Sequence, residues 1–330
     1  MTEFLEATER ITLASRRTRA GTFRIRIVGD RVFSLVTLLL TLLSLSVLVG
    51  IAITLVVDSA PSLKAFGWSF VVSTDWDPVN ERYGALPFIY GTAVSSTLAL
   101  LIAVPLSLGV ALCLSEMAPL GLSRRLGFMV ELLAAIPSVV YGLWAIFVLG
   151  PWLRDRVEPV LGAGLGFLPL FQGPRVSVGM LSAGVVLAIM VIPYVAAVST
   201  DVFRAVPQTQ REAALALGAT RWEMVRIAVL PYALSGVIGA IILGLGRALG
   251  ETIAVAMVIG NSPQIAASLF RPSATLASVI ANEFAEATSA LQLSSLVELG
   301  LVLLVMGLAL NIVARALVLG VTQGRFGGTE

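Results

Sequence analysis

Long uncharged apolar windows, separated by short charged stretches, dominate this chain. Positions 32–57, 83–115, 132–153, 176–200 and 227–246 hold no Asp, Glu, Lys or Arg. A shorter window at 299–314 extends toward residue 287 once Glu298 is tolerated near one end. A helix needs about 20 residues to cross roughly 30 Å of hydrocarbon, and each of the first five windows reaches that length. The pattern predicts an all-α membrane protein with about six transmembrane helices, near residues 32–57, 88–115, 128–150, 177–200, 232–260 and 294–318.

Composition agrees with that pattern. Of 330 residues, 57% are apolar and 13% charged, where soluble globular proteins average about a quarter charged. The mean hydropathy is +0.95. The basic residues are arginines except for Lys64, which is followed by Ala65. A phosphate-cradling P-loop requires a lysine followed by Ser or Thr, so ATP hydrolysis by that route is not expected of this chain. The absence of His and the single Cys113 leave no His/Cys zinc site, no disulfide and no His-based triad. An enzyme is therefore not expected, and no cofactor or metal site is expected on this chain. The first 31 residues carry Arg10, Arg16, Arg17, Arg19, Arg24, Arg26 and Arg31. The apolar run behind them is too long for a signal-peptide core and reads as an uncleaved first span.

Arginines outside the windows set an orientation, because cytoplasmic loops are enriched in them. The Arg-rich arm at 1–31, Arg124 and Arg125 in the second loop, Arg204, Arg211, Arg221 and Arg226 in the fourth, and Arg325 in the tail at 321–330 form one side. The first and fifth loops are acidic, and the third is balanced. Six spans within 32–320, with both termini cytoplasmic, follow. In the first external loop, Trp68, Phe70, Trp76 and Tyr83 read either as an interfacial aromatic belt or as a contact surface for an extracytoplasmic partner.

The cytoplasmic loop at 201–231 has its own punctuation. Pro207 suits the start of a helix, Gln208 to Leu217 reads as a short helix, and Gly218 supplies the positive φ that ends it. Thr220-Arg221-Trp222-Glu223 fits a capping box, and Leu230-Pro231 marks entry to the fifth span. Glu212-Ala213-Ala214, then Gly218, then Leu230-Pro231 resembles the EAA loop of ABC-importer permeases. In that family the loop docks into a separate ATPase. An amphipathic connector is the plain alternative. A DNA-reading helix-turn-helix is disfavoured, since both ends are tethered to membrane spans, and no nucleic-acid partner is expected.

The fifth span carries Arg247 and Glu251, four residues apart and inside the bilayer by position. Ionisable groups there are costly and functional by default. Arg before Glu is the less favourable order for a helix pair, so helix stabilisation explains the pair poorly. A guanidinium presents a planar fork of donors that matches an oxyanion and stays charged when desolvated. Glu251 would temper it and accept a hydrogen bond from the protonated oxygen of hydrogen phosphate while repelling sulfate. A structural ion pair pinning two helices is the competing reading. Pro137-Ser138-x-x-Tyr141-Gly142 predicts a kink in the third span, with Ser138 and Tyr141 either lining a path or bonding between helices. Gly246-x-x-x-Gly250 is a close-packing spacing that would serve this chain or a second permease. Glu131 and Glu298 read as interfacial or structural.

Together with Trp76-Asp77-Pro78, the run from Tyr83 to Thr92, Ala135 to Gly142 and Gly246 to Thr252, these features resemble the PstC-type permease subunits of bacterial phosphate ABC importers. The resemblance covers about residues 30–320. It implies a type I ABC-importer permease fold in the bacterial cytoplasmic (inner) membrane and the import of inorganic phosphate. It implies a second permease in a heterodimer, an ATPase dimer that binds ATP and Mg, and an extracytoplasmic phosphate-binding protein. The path residues it implies are Arg247, Glu251, Thr252, Ser138 and Tyr141. Glu212, Ala213, Ala214, Gly218, Leu230 and Pro231 would contact the ATPase. A permease for sulfate or molybdate is the alternative of the same class with different cargo, and a proton-coupled transporter using Glu251 and an intramembrane enzyme are the alternatives from other classes.

Overall fold

Apolar side chains without polar interruption can only be satisfied by backbone that bonds to itself, and the chain is helical accordingly. A computed structural model describes residues 32–326, with side chains to residue 316. The arginine arm at 1–31, the end of the tail and the Arg325 side chain lie outside the described residues. Among the described residues the only extended pairings are two isolated bridges, Asp77 with Arg82 and Gly260 with Ser273.

The described residues separate into two units that divide between Val57 and Asp58. The first contributes α1 (Val32–Asp58), an apolar helix whose side chains are unburied. The second holds α2 (Ala60–Phe66), α3 (Ser69–Val72) and α4 (Leu86–Met117). Next come α5 (Leu120–Ala134), α6 (Ser138–Leu165), α7 (Met180–Arg204) and α8 (Gln208–Ala216). The chain ends with α9 (Arg221–Gly250), α10 (Ile253–Val258), α11 (Leu276–Glu283) and α12 (Ala290–Phe326). Five helices are long and apolar enough to cross a membrane, and α5 with α6 makes a sixth candidate.

Helix α7 is the centre of the second unit. A helix apolar on every face is buried on every face, and the small residues of α7 permit it. Ala183, Ala188, Val191, Val195 and Ala196 are fully buried, and α7 packs against α4 and α9. Its first N–H groups have no helical acceptor, and irregular chain ahead of α11 supplies one. Met180 donates to the Arg271 carbonyl (3.1 Å) and Leu181 to that of Leu269 (2.8 Å).

Two expected spans differ in detail. The third is broken rather than kinked: α5 and α6 meet at 87° across residues 135–137. Pro137 has no N–H to continue a helix and pushes Ile136 away from helical geometry. The fifth, expected over 232–260, stops at Gly250, where Glu251 turns extended (φ −71°, ψ 123°). It resumes as α10 after Thr252. The same helix starts earlier than expected, because Leu230-Pro231 lies inside it. A wide π-type turn at Val225–Val229 makes room for Pro231, whose ring would crowd the Ile227 carbonyl in a regular helix.

The external aromatics are neither a belt nor an open contact surface. Phe70 and Tyr83 are buried, and only Trp68 among the four is 90% exposed. Trp76 packs edge-on against Tyr83 and Phe88, with ring centroids 5.0 and 4.9 Å apart, and donates Nε1–H to Glu283 at 3.0 Å. The run from Tyr83 to Thr92 is a docking strip for the segment before α11. Tyr90 donates to the Ala266 carbonyl (2.8 Å), and Thr92 accepts from the Leu276 N–H (3.0 Å). Gly91 lies so close to the Ala274 carbonyl that a Cβ would sit 2.0 Å from its oxygen.

Two outcomes follow from this packing. Gly91→Ala forces backbone apart and should lower stability by about 1–3 kcal/mol, read as a lower thermal midpoint in detergent; an unchanged midpoint would refute the contact. Burial raises the Glu283 carboxyl above its ordinary 4.5, against hydrogen bonds from Trp76 and Gln292 that lower it. The neutral acid is thus the form the fold favours, and its contribution is full at low pH and lost as pH rises through the raised value. Glu283→Gln should therefore gain thermal stability over the parent only above about pH 4.5, and a gap independent of pH would contradict this.

Candidate functional site

The two breaks come together. Gly142 of α6 packs against Ala254 and Met257 of α10, which sets the 135–137 break beside Glu251–Thr252. On the neighbouring face, Gly244 of α9 packs against Val191 and Val195 of α7. Residues three apart share a helix face, so this contact aligns Arg247 with Tyr194. The Arg247 guanidinium carbon lies 4.4 Å over the Tyr194 ring centroid, a cation–π distance.

The remaining contacts of Arg247 are sparse. Its nearest acidic oxygen, on Glu251, is 3.9 Å away, too far for a hydrogen bond. Its Nε is buried and has no acceptor. The Arg247 side chain is 31% exposed and that of Glu251 8%. The guanidinium is therefore reachable on one side, with donors unspent. Tyr141 lies within electrostatic reach of both Tyr194 and Arg247. Its hydroxyl donates to the Leu133 carbonyl (2.9 Å), and that of Tyr194 to the Ala134 carbonyl (3.0 Å). Ser138 is half-buried one turn before Tyr141. Thr252 donates its hydroxyl to the Gly250 carbonyl (3.2 Å). Arg247, Glu251, Thr252 and Tyr141 thus gather at the breaks, with Ser138 on the same short helix as Tyr141. Glu131 is exposed and Glu298 is buried away from solvent.

Sequence reasoning passed over Tyr194. The available signal was a polar-tipped aromatic deep in an apolar window, level with an arginine in another. It also counted Gly246 and Gly250 as packing positions. Nothing lies within 4 Å of a Cβ built at either, or at Gly239, so among the described residues this face is uncovered.

The hairpin forms as its punctuation demands. Pro207 sits just ahead of α8 as its N-cap. Gly218 has φ +85°, and Thr220 and Glu223 make a reciprocal capping box. Ala214 is buried with Phe203, Val206, Met224 and Val229. Glu212, Ala213 and Ala216 are exposed, and so are Leu217 (88%) and Trp222 (64%). An anchor missed in the sequence holds this arrangement. Arg211 grips Glu116, at the end of α4, through two hydrogen bonds of 2.8 and 3.1 Å. It also donates to the Val206 and Phe203 carbonyls. Beside it, Arg204 donates to Ser123 (2.9 Å), which donates to the Leu114 carbonyl (2.6 Å).

A broken-helix bundle with an exposed hairpin defines a class. Residues 103–323 match the family described as the inner membrane component of binding-protein-dependent transport systems, and the chain belongs to it as a multi-pass component of that membrane. The resemblance is closer still to proteins described as the phosphate transport system permease protein PstC. The chain is 44% identical to that of Mesorhizobium japonicum over 94% of this chain and 96% of the relative. It is 47% identical to that of Haemophilus influenzae over 89% and 94%, and 41% identical to PstC 2 of Mycobacterium tuberculosis over 90% and 94%. Among solved structures, a chain of the methionine ABC transporter MetNI superposes with a TM-score of 0.51 at 19% identity. It covers 72% of this chain and 94% of its own length. The fold is that of a type I ABC-importer permease.

The Arg211–Glu116 anchor is testable apart from transport. Glu116→Ala leaves a nearly buried guanidinium unpaired and should cost about 3–5 kcal/mol. The joint replacement Glu116→Leu with Arg211→Leu should recover much of that loss. Equal thermal midpoints for parent and Glu116→Ala would refute the anchor.

Proposed function

We propose that this chain is a permease subunit of an ATP-driven importer of inorganic phosphate. It forms the translocation path with a second permease. Both termini are cytoplasmic, and the hairpin at 201–231 engages a separate ATPase that binds ATP and Mg. An extracytoplasmic binding protein delivers the phosphate. The relatives described as phosphate permeases, matched over nearly their whole length, support the cargo.

The observation that carries the path reading is the loose setting of Arg247, with a buried Nε that lacks an acceptor. A structural ion pair would be closed in the manner of Arg211 and Glu116, with hydrogen bonds of 2.8 and 3.1 Å. Arg247 and Glu251 stay 3.9 Å apart. Donors unspent among apolar helices favour a passing oxyanion, and the nearby carboxylate keeps the well shallow enough for release. Glu251 also accepts a hydrogen bond from the protonated oxygen that hydrogen phosphate carries and sulfate lacks near neutral pH. Ser138, Tyr141 and Thr252 would complete the polar lining. At the hairpin, the exposed Leu217, Trp222, Ala213 and Ala216 offer a low apolar face, and Glu212 a charge, to the ATPase. A proton-coupled transporter would leave that face without a purpose.

Phosphate uptake and phosphate-stimulated ATP hydrolysis in a reconstituted complex provide the test. Arg247→Lys should lower uptake about tenfold or more, because a point charge replaces a fork of donors. Glu251→Gln should slow phosphate and narrow its margin over sulfate. Variants that co-purify with the ATPase and move phosphate at the parent rate would sink the path role.

A further inference from the structure

Tyr194 has no part in the reading above, yet its ring lies directly beneath the Arg247 guanidinium. An arginine side chain is flexible, with about 2 kcal/mol of rotamer entropy, so an anion-binding guanidinium needs something to hold it still. Glu251 at 3.9 Å is too distant to do so, and the Nε has no acceptor. The Tyr194 ring, 4.4 Å below the guanidinium carbon, is the surface it rests on.

That ring is itself fixed from two directions. Its neighbours Val191 and Val195 close on Gly244 of α9. Its hydroxyl donates to the carbonyl of Ala134, the last residue of α5, at 3.0 Å. The final carbonyls of a helix have no helical partner, and the Tyr194 hydroxyl supplies one for Ala134. Tyr141 takes the Leu133 carbonyl next to it, so tyrosines from α6 and α7 clasp the end of α5 together. The opposite end of α5 is held to the ends of α7 and α4, where Arg204 bonds Ser123 and Ser123 bonds the Leu114 carbonyl. Helix α5 (Leu120–Ala134) is a continuous rod between these attachments, which lie roughly 16 Å apart along its axis.

We propose that Tyr194 is the positioning residue for Arg247: its ring seats the guanidinium, and its hydroxyl ties that seat to the end of α5. The setting of the guanidinium then follows α5, whose far end is anchored beside the ATPase-facing hairpin. The proposal rests on the reading of Arg247 as an anion-binding group, and the experiment separates the two.

The ring's role is tested with phenylalanine and its successively fluorinated forms at position 194. All lack the hydroxyl and keep the ring's shape, while each added fluorine weakens the negative ring face. In the complex with its permease partner, ATPase and binding protein, maximal phosphate uptake per assembled complex should fall stepwise. The fall should reach about tenfold across the series, the worth of a desolvated cation–ring contact. A purely structural tyrosine predicts no such gradient. Tyr194→Phe keeps the ring and loses the tether, and should lower maximal uptake about fivefold, as expected for one hydrogen bond. Uptake that is flat across the fluorinated series, in a transporter silenced by Arg247→Gln, overturns the seat. Tyr194→Phe at the parent rate overturns the tether. Arg247→Gln at the parent rate instead overturns the anion-path reading on which both depend.

Discussion

A bilayer offers no water to a backbone group that leaves its helix, and this constraint governs the chain. Most of the apolar windows meet it by continuing as helix from one side to the other. Two do not. The interruptions at residues 135–137 and 251–252 leave helix ends inside the protein, and side chains must finish what the backbone abandons. Tyr194 satisfies Ala134, Thr252 satisfies Gly250, and Tyr141 adds its hydroxyl to the backbone N–H that already reaches Leu133. Polar side chains therefore collect at the breaks, and Arg247 collects with them. A polar site in lipid arises here as a by-product of satisfying irregular backbone.

Two arginine–glutamate pairs show how setting decides role. Arg211 is closed on Glu116 and two carbonyls, with little left to offer. Its energy lies in holding the hairpin against the end of α4. Arg247 sits on a ring, keeps its carboxylate at arm's length and retains an unspent donor. The residue types are identical. What differs is whether burial has been matched by hydrogen bonds, and a charge left partly unmatched is the one able to respond to a ligand.

Much of the hairpin was legible because its signals are local. Gly218 needs a positive φ, and Thr220 with Glu223 needs only three residues of helix to make a box. The spans were legible for the same reason: hydrocarbon thickness converts directly into window length. The aromatic loop was misread because Phe70 and Tyr83 are buried and Trp76 half-buried against partners such as Phe88 and Glu283, and no local pattern announces those contacts. The break at 135–137 read as a kink, since Pro137 declares that a helix is disturbed but not by how much.

The sequence by itself determined an all-helical membrane protein, the number of its long apolar segments, the hairpin's turn and caps, and the residues Arg247 and Glu251 as its improbable charges. Those features depend on spacing along the chain or on the cost of charge in lipid. Tertiary structure alone decided that α5 and α6 part at 87°, that Arg211 belongs to Glu116, and that Tyr194 lies beneath Arg247. These pairings join helices far apart in sequence, and the packing of small residues such as Gly142 and Gly244 between helices is what brings them within reach.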